Sequence, residues 1–257
     1  MNPPWLITQW YFVVLGTIVV IAKLLSIVLS NRTPLEKLQF FLIAPSLSID
    51  TWNLARRLES RDLRKIGTQS IFVFPLVIAV YAILPDIISR NQFSWPARAY
   101  LAIVPFWLLT QALSLATQLL YAPVSLTIPP WHKQPWRAAS LAEFWGRRWN
   151  RLFADWMRQV CFRPLFRMPR LGIVFAFITS GLIHELLVNL PLWLVFRVNL
   201  FGSMCIYFLL QAAGIFVEKQ FLKRNRLANR VFMWAIVLLP VPLALNEGTL
   251  RIFHFVR

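Results

Sequence analysis

Long runs of apolar residues, separated by short polar segments, dominate the chain of 257 residues. The runs that we interpret as membrane spans are 5–30, 66–88, 99–121, 171–190, 199–217 and 231–245. A helix that crosses a bilayer needs about 20 mainly apolar residues, and several of these runs reach that length. The pattern predicts an all-α, polytopic helical membrane protein with about six transmembrane helices. No internal repeat or linker is visible, so we expect a single membrane-embedded domain over 1–257.

Two other segments are apolar on a different pattern. Segment 35–47 is too short to span a bilayer and contains Pro45, which predicts an interfacial or re-entrant piece. Segment 140–158 predicts an amphipathic helix in the headgroup plane, with Ser140 as N-cap and Glu143 at the capping-box position. Its apolar face consists of Phe144, Trp145, Trp149, Leu152, Phe153 and Trp156.

Composition supports the membrane assignment and adds a direction. The chain is 58% hydrophobic, whereas soluble domains are about 45–50% apolar. The net charge of +17 would suggest nucleic acid in a soluble protein, but the charge alternates between loops. Loops 31–65, 122–170 and 218–230 carry seven, nine and five Lys or Arg residues, and segments 86–98, 191–198 and 246–257 carry two, one and two. The positive-inside rule predicts that the basic loops are cytoplasmic and both termini are outside, with anionic lipid rather than nucleic acid as partner.

Few residues are available for metal or disulfide chemistry. The two cysteines, Cys161 and Cys205, have no CxxC spacing, and the three histidines are not at metal-ligand spacing. We therefore expect neither a metal nor a disulfide framework. The first cationic side chain is Lys23, which predicts a retained first helix instead of a cleaved signal peptide, with Lys23 extending to the interface.

A histidine and a glutamate are adjacent inside the run 171–190. His184 lies about 14 residues from the basic start of this run, which places it roughly 20 Å deep in the membrane. Ionisable groups at such depth are costly and indicate a functional site, with a polar packing role as the alternative. Ser180 and Gly181 lie one turn earlier on the same face, where Gly181 leaves room for a substrate or a second helix. Glu185 points about 100° away and is expected to pair with a neighbouring helix.

The second candidate element is the stretch 143–150, Glu-Phe-Trp-Gly-Arg-Arg-Trp-Asn. Taken alone, this composition is typical of a helix on the membrane surface. Asn150 is the exception, because it falls near the apolar face of the predicted helix beside Trp149 and Phe153. A buried Asn needs hydrogen-bond partners, so it either caps another element or faces a polar cavity.

The two elements together resemble a known family. Phe-Trp-Gly-Arg-Arg-Trp-Asn at 144–150, followed after about thirty residues by Ser-Gly-Leu-Ile-His-Glu at 180–185, is similar to the wax synthase branch of the membrane-bound O-acyltransferases. The resemblance is specific over about 140–187 and general, as hydropathy, elsewhere. It implies an enzyme that transfers an acyl group from acyl-CoA to the hydroxyl of a lipophilic alcohol. The family's catalytic pair corresponds to His184 and Asn150.

The residue types fit this chemistry. A neutral imidazole at His184 is suited to deprotonate an attacking alcohol, and Asn150 is suited to hold the thioester carbonyl or the developing oxyanion. Further candidate substrate-binding residues are Ser180 and Trp149, together with Arg147, Arg148 and Arg151 on the side where the phosphates of CoA would arrive. Acyl-CoA is a co-substrate here, and no cofactor is expected.

Two alternatives stay open at this point. The same chemistry would acylate or acetylate a terpenoid- or carotenoid-type hydroxyl. A non-catalytic lipid carrier or transporter would use His184 and Glu185 as a proton or substrate site, although transporters usually contain internal repeats.

Overall fold

Five helices in this computed structural model are long and apolar enough to cross a membrane, counted over the residues that the structure describes, 5–52, 56–91, 93–222 and 226–255. They are Trp5–Val28, Ser60–Ile88, Trp95–Val124, Pro169–Phe196 and Arg226–Ala244. Each overlaps one of the predicted spans. The prediction of a polytopic helical membrane protein is therefore confirmed.

The elements follow one another along the chain with short connections. The helices are α1 Trp5–Val28, α2 Pro34–Ile43, α3 Ile49–Trp52, α4 Ser60–Arg90, α5 Trp95–Leu101, α6 Ile103–Tyr121, α7 Leu141–Glu143, α8 Arg151–Met157, α9 Pro169–His184, α10 Leu190–Phe196, α11 Ser203–Phe221, α12 Arg226–Leu238, α13 Val241–Ala244 and α14 Glu247–Ile252. Strands β1 Arg56–Arg57 and β2 Leu126–Thr127 form a two-residue antiparallel ladder. Turns of 3₁₀ helix occupy Ala122–Val124 and Pro135–Arg137, and wider π-helical turns occupy Phe144–Arg148, Arg158–Phe162 and Glu185–Asn189. π turns inside helices often mark functional sites, and two of these flank the candidate residues.

The predicted span 199–217 differs from the other five. It forms the helix α11, but α11 is not among the helices apolar enough to cross a membrane. The reason is its polar residues, two of which, Gln211 and Glu218, are buried. The indole Nε1 of Trp145 donates to Gln211 Oε1 at 3.2 Å, and the backbone N–H of Leu141 donates to the Glu218 carboxylate at 2.9 Å. The polar residues of α11 thus hold the amphipathic segment against the helix bundle.

The centre of the bundle is the contact between α9 and α11. Gly181 permits a close approach, because a Cβ atom there would lie 2.9 Å from the Cα of Cys205. The sequence predicted that Gly181 leaves room for either a substrate or a second helix, and in the structure the second helix, α11, fills that room. The surrounding core consists of Ala138, Leu141, Phe144, Ile173, Phe177, Tyr207, Phe208, Ala212, Ile215, Met233 and Val237.

Helix α1 is fastened to the rest of the chain by polar contacts. Lys23 contacts the end of α2, and its extension to the membrane interface stays a prediction. Its Nζ donates to the backbone carbonyls of Phe40, Phe41 and Ala44 at the C-terminal end of α2, where helix carbonyls lack a full set of intrahelical partners. Further along α1, the Ser26 hydroxyl donates to Oε1 of the buried Gln159 at 2.7 Å. The predicted short piece 35–47 overlaps α2, which ends two residues before Pro45.

The amphipathic segment 140–158 is not one continuous helix. Ser140 is the N-cap as predicted, since its hydroxyl accepts from the backbone N–H of Glu143 at 3.0 Å. The helix then widens into a π turn and breaks at Asn150, where a new helix, α8, begins. The sequence pattern did not reveal this break, because the apolar spacing continues across it.

Candidate active site

A cavity of about 650 Å³ lies where α6, α9, α11 and the amphipathic segment meet. Four of the predicted site residues line it: Trp149, Asn150, Ser180 and His184. Most of the remaining lining is aromatic or aliphatic. Among the described residues of the lining, Lys219 on α11 carries the one fixed charge. An apolar cavity with a few polar groups is the usual form of a small-molecule site.

His184 is oriented by its own helix. Its Nδ1 lies 2.7 Å from the backbone carbonyl oxygen of Ser180, one turn earlier. Because a carbonyl only accepts, Nδ1 must carry a hydrogen, and the neutral ring then has its lone pair on Nε2. The ring also packs on Phe208 of α11, with centroids 4.6 Å apart. No described residue hydrogen-bonds to Nε2, so this nitrogen is available to a hydroxyl in the cavity.

Glu185 has a separate task, as predicted from its direction on the helix. Its buried carboxylate accepts from the backbone N–H groups of Gly202, Met204 and Cys205 at 2.9, 2.9 and 3.1 Å. These groups form the start of α11, where a helix leaves N–H groups unpaired and carries partial positive charge. The side-chain amide of Asn189 donates to the other carboxylate oxygen. Glu185 therefore joins the helix of His184 to α11 and does not orient the imidazole.

Asn150 sits at the break between the π turn and α8. Its backbone is left-handed, with φ 37° and ψ 63°, a conformation that Asn tolerates better than most residues. Its side-chain Oδ1 accepts from the backbone N–H of Phe153 at 3.4 Å and caps α8. This bond assigns the oxygen to the cap, so the Nδ2 donors remain for another group. Asn150 is half-buried and has the predicted capping role, and it also lines the cavity, which is mainly apolar and not polar as predicted.

Residues 131–133 form three hydrogen bonds with the chain at this break, and we call these residues the 131–133 clamp. The N–H of Lys133 donates to the carbonyl of Arg148 at 2.8 Å, and the N–H of Arg151 donates to the carbonyl of Trp131 at 2.8 Å. Between them, the backbone N–H of Asn150 donates to Nδ1 of His132 at 3.2 Å. Sequence reasoning missed His132, because no periodicity relates a loop residue to a helix break 18 positions later.

Trp149 is fixed in an aromatic cluster. Its ring stacks on Phe144 with centroids 5.6 Å apart, and it also contacts Trp107 at 5.5 Å and His132 at 4.6 Å. This packing gives one wall of the cavity a defined shape directly beside Asn150.

The arginines predicted to bind substrate are not part of the cavity lining. Arg148 donates to Glu143 Oε1 at 2.6 Å and to the carbonyls of Lys133 and Gln134. Partial burial raises the pKa of Glu143, but hydrogen bonds from Ala139 N–H and Arg148 outweigh this and hold the pKa below its usual value. The carboxylate is therefore charged and paired at neutral pH.

The two other arginines, Arg147 and Arg151, are exposed and half-buried, respectively. Their roles toward a substrate remain predictions. Lys219 lies on the cavity itself and was not predicted, because its position in a basic loop gave no reason to prefer it over its neighbours.

Fold and cavity together define a polytopic helical membrane protein with a neutral imidazole and a carboxamide facing one apolar space. Residues 128–193 match the family described as the membrane bound O-acyl transferase family. This segment includes the 131–133 clamp, Asn150 and His184. The family resemblance predicted from the sequence is therefore confirmed.

Relatives of known name support the same branch. The chain is 28% identical over 162 residues to a probable long-chain-alcohol O-fatty-acyltransferase 7 of Arabidopsis thaliana, covering 58% of this chain and 46% of the relative. It is 36% identical over 74 residues to a long-chain-alcohol O-fatty-acyltransferase of Simmondsia chinensis, covering 25% of this chain and 21% of the relative. It is 27% identical over 172 residues to an acyl-CoA–sterol O-acyltransferase 1 of Arabidopsis thaliana, covering 62% and 48%. The chain thus spans less than half the length of these relatives.

Proposed function

We propose that this chain transfers an acyl group from acyl-CoA to the hydroxyl of a lipophilic alcohol. The observation that carries the proposal is the pairing of His184 and Asn150 in one cavity, where no described residue occupies the Nε2 of His184 or the Nδ2 donors of Asn150. The names of the relatives, which describe fatty-acyl transfer to long-chain alcohols, support the same reaction.

In the proposed reaction His184 is the general base. The alcohol O–H donates to Nε2, and as its oxygen attacks the thioester carbonyl carbon, the proton moves to the imidazole. The C–S bond then breaks, and the thiolate of CoA takes the proton from His184. The products are one ester and free CoA, and the imidazole returns to its neutral state. No cofactor enters this balance.

In this proposal the side-chain amide of Asn150 stabilises the carbonyl oxygen of the thioester. Negative charge develops on that oxygen when the alcohol adds, and an N–H donor placed in advance stabilises it in a site without bulk water. The cap bond to Phe153 N–H occupies Oδ1 and keeps the amide turned so that Nδ2 faces away from α8. Trp149 and Ser180 contribute the neighbouring surface.

The donor and acceptor are proposed to arrive from different phases. We place the basic loops 31–65, 122–170 and 218–230 on the cytoplasmic side, where acyl-CoA is dissolved. Lys219, at the end of α11 and on the cavity lining, is the cation best placed for the phosphates of CoA. The alcohol would enter from the lipid, since most of the remaining lining is apolar.

A second acceptor class is supported by one specific comparison. The relative named as an acyl-CoA–sterol O-acyltransferase matches this chain over a longer stretch than the fatty-alcohol enzyme of Simmondsia chinensis. A polycyclic terpenoid hydroxyl is therefore the alternative to a long-chain alcohol, with the same catalytic pair.

The test is ester formation by the purified chain in detergent or vesicles, using labelled acyl-CoA with fatty alcohols and sterols. We expect His184→Ala to lower the rate by about 100-fold or more, because a positioned general base contributes about 10²–10⁴-fold. The exposed His254 provides the matched control, and His254→Ala should retain the wild-type rate.

Two results would contradict the proposal. One is full turnover by His184→Ala. The other is a wild-type chain that binds acyl-CoA and alcohol but forms no ester with any acceptor, which would favour a lipid carrier.

A further inference from the structure

His132 is a buried residue with an unusual hydrogen-bond balance. It is 8% exposed and lies between the rings of Trp107 and Trp149, at centroid distances of 5.1 and 4.6 Å. Its Nδ1 accepts from the backbone N–H of Asn150 at 3.2 Å. Its Nε2 is buried and has no hydrogen-bond partner among the described residues.

This arrangement fixes the protonation of the ring. An N–H can donate to Nδ1 only if Nδ1 carries no hydrogen, so the ring is neutral with its hydrogen on Nε2. Burial lowers the pKa of His132 to about 4, which agrees with a neutral ring at physiological pH. A buried N–H without a partner costs free energy. An aliphatic side chain would fill the same space without that cost, but it would offer nothing to the N–H of Asn150.

The N–H of Asn150 has no partner available within the helix. The π turn ends with the bond from Trp149 N–H to the carbonyl of Phe144, and α8 starts after Asn150. The extended backbone at Trp149, with φ −93° and ψ 133°, turns the N–H of Asn150 out of the helical series, toward residues 131–133. His132 supplies the acceptor at that point, and the two flanking bonds of the 131–133 clamp hold the chain on either side.

We propose that His132 is a positioning residue that holds Asn150 in its left-handed conformation through Nδ1. The inference rests on the proposed function, because the use of this position is to aim the Asn150 amide at the thioester carbonyl. His132 itself does not touch the substrates, and it is not among the residues of the cavity lining. A displacement of about 1 Å at a catalytic group can cost on the order of 100-fold in rate.

The test uses three variants, two of which carry the same amide group at different distances from the backbone. In His132→Asn the amide oxygen stands where Nδ1 stood, one bond from Cγ, and can accept from Asn150 N–H. In His132→Gln the amide is one carbon further out, near the position of Nε2, and cannot. His132→Leu removes the unpaired Nε2–H of the ring, but it also leaves the N–H of Asn150 without its acceptor. Thermal unfolding of each variant in detergent checks its folding.

Two readouts are measured. Hydrogen exchange of the peptide containing Asn150 reports its N–H bond without any need for activity, and we expect exchange to be faster in the Gln and Leu variants and unchanged in the Asn variant. Steady-state kinetics of ester formation should show a kcat about 10- to 100-fold lower for Gln and Leu, a kcat within about threefold of wild type for Asn, and similar KM values throughout.

The outcomes separate this inference from the proposed function. Equal exchange and equal kcat in the Asn and Gln variants would overturn the positioning role. A fall in stability shared by all three variants, with no difference in exchange, would overturn it as well, since His132 would then be a packing residue. If the wild-type chain formed no ester, the proposed function would fail, while the exchange difference between Asn and Gln would still decide whether His132 holds Asn150.

Discussion

His184 and Asn150 line the same cavity, but they are held in opposite ways. His184 belongs to a regular helix, is oriented by a carbonyl of that helix, and is followed by Glu185, which ties the helix to α11. Asn150 lies where a helix stops, and its position depends on the 131–133 clamp, a loop that precedes it in the chain. The His184 side is fixed by packing and hydrogen bonds between two long helices, whereas the Asn150 side is fixed by hydrogen bonds from a loop and by aromatic contacts of Trp149.

This difference predicts different consequences of substitution. Changes around His184 should disturb the contact between α9 and α11, and therefore the stability of the whole bundle. Changes around Asn150 should mainly disturb the aim of one amide, and therefore the rate of the reaction. Three substitution pairs test this contrast, from the largest expected effect to the smallest.

The largest effect is expected at Glu185. In Glu185→Leu the backbone N–H groups at the start of α11 lose their acceptor, and since a buried unpaired donor costs about 1–3 kcal/mol, the free energy of unfolding should fall by at least about 3 kcal/mol. Thermal unfolding in detergent micelles, followed by tryptophan fluorescence, measures this.

The matched control for Glu185 is the same substitution at Glu247. That carboxylate pairs with Arg251 at the surface, with side-chain exposures of 38% and 30%, so Glu247→Leu should cost no more than about 1 kcal/mol. Similar small losses for both variants would show that Glu185 is not what joins α9 to α11.

The surroundings of His184 could be predicted from the sequence more easily than those of Asn150, because His184 is held mainly within its own helix and Asn150 is held by a loop distant in the chain. Helical periodicity and the cost of burying charge were enough to place His184, to separate it from Glu185, and to expect a close neighbour at Gly181. These inferences need only the geometry of one helix. The family resemblance supplied the pairing of His184 with Asn150, which no local pattern contains.

What could not be predicted depends on contacts distant in the chain. The apolar spacing of 140–158 continues through Asn150, so it suggested one helix where there are two. The break exists because residues 131–133 supply hydrogen bonds to it. Hydropathy likewise gave no indication that Gln211 and Glu218 of α11 are hydrogen-bond partners of the amphipathic segment.

An intermediate effect is expected at Gly181. A Cβ atom there would lie 2.9 Å from Cys205 Cα, which is backbone and cannot rotate away, so Gly181→Ala must push α9 and α11 apart. Overpacking of this kind costs about 1–3 kcal/mol, and the shift of α9 should also lower the rate of ester formation.

Gly16 on α1 provides the control, because a Cβ there would meet no atom within 4 Å. Gly16→Ala should be neutral or stabilise the helix by up to about 1 kcal/mol. Equal unfolding temperatures for the two alanine variants would mean that the close approach of α9 and α11 is not required.

The smallest effects are expected from two adjacent arginines on the Asn150 side. Arg148 binds Glu143 and the carbonyls of Lys133 and Gln134, so it connects the π turn to the 131–133 clamp, and Arg148→Ala should lower stability by about 1 kcal/mol and reduce kcat. Arg147 is exposed, so Arg147→Ala should change stability by less than about 0.5 kcal/mol.

Steady-state kinetics with varied acyl-CoA concentration, at low and at high salt, then distinguish a CoA contact at Arg147 from the internal contacts of Arg148. We expect Arg147→Ala to raise the KM for acyl-CoA at low salt and to have little effect at high salt, because an exposed cation attracts phosphate through an interaction that salt screens. Arg148→Ala should lower kcat at both salt concentrations, since its contacts are internal. An unchanged KM for Arg147→Ala would remove that residue from the proposed CoA contacts and leave Lys219, which lies on the cavity, as the cation to substitute next.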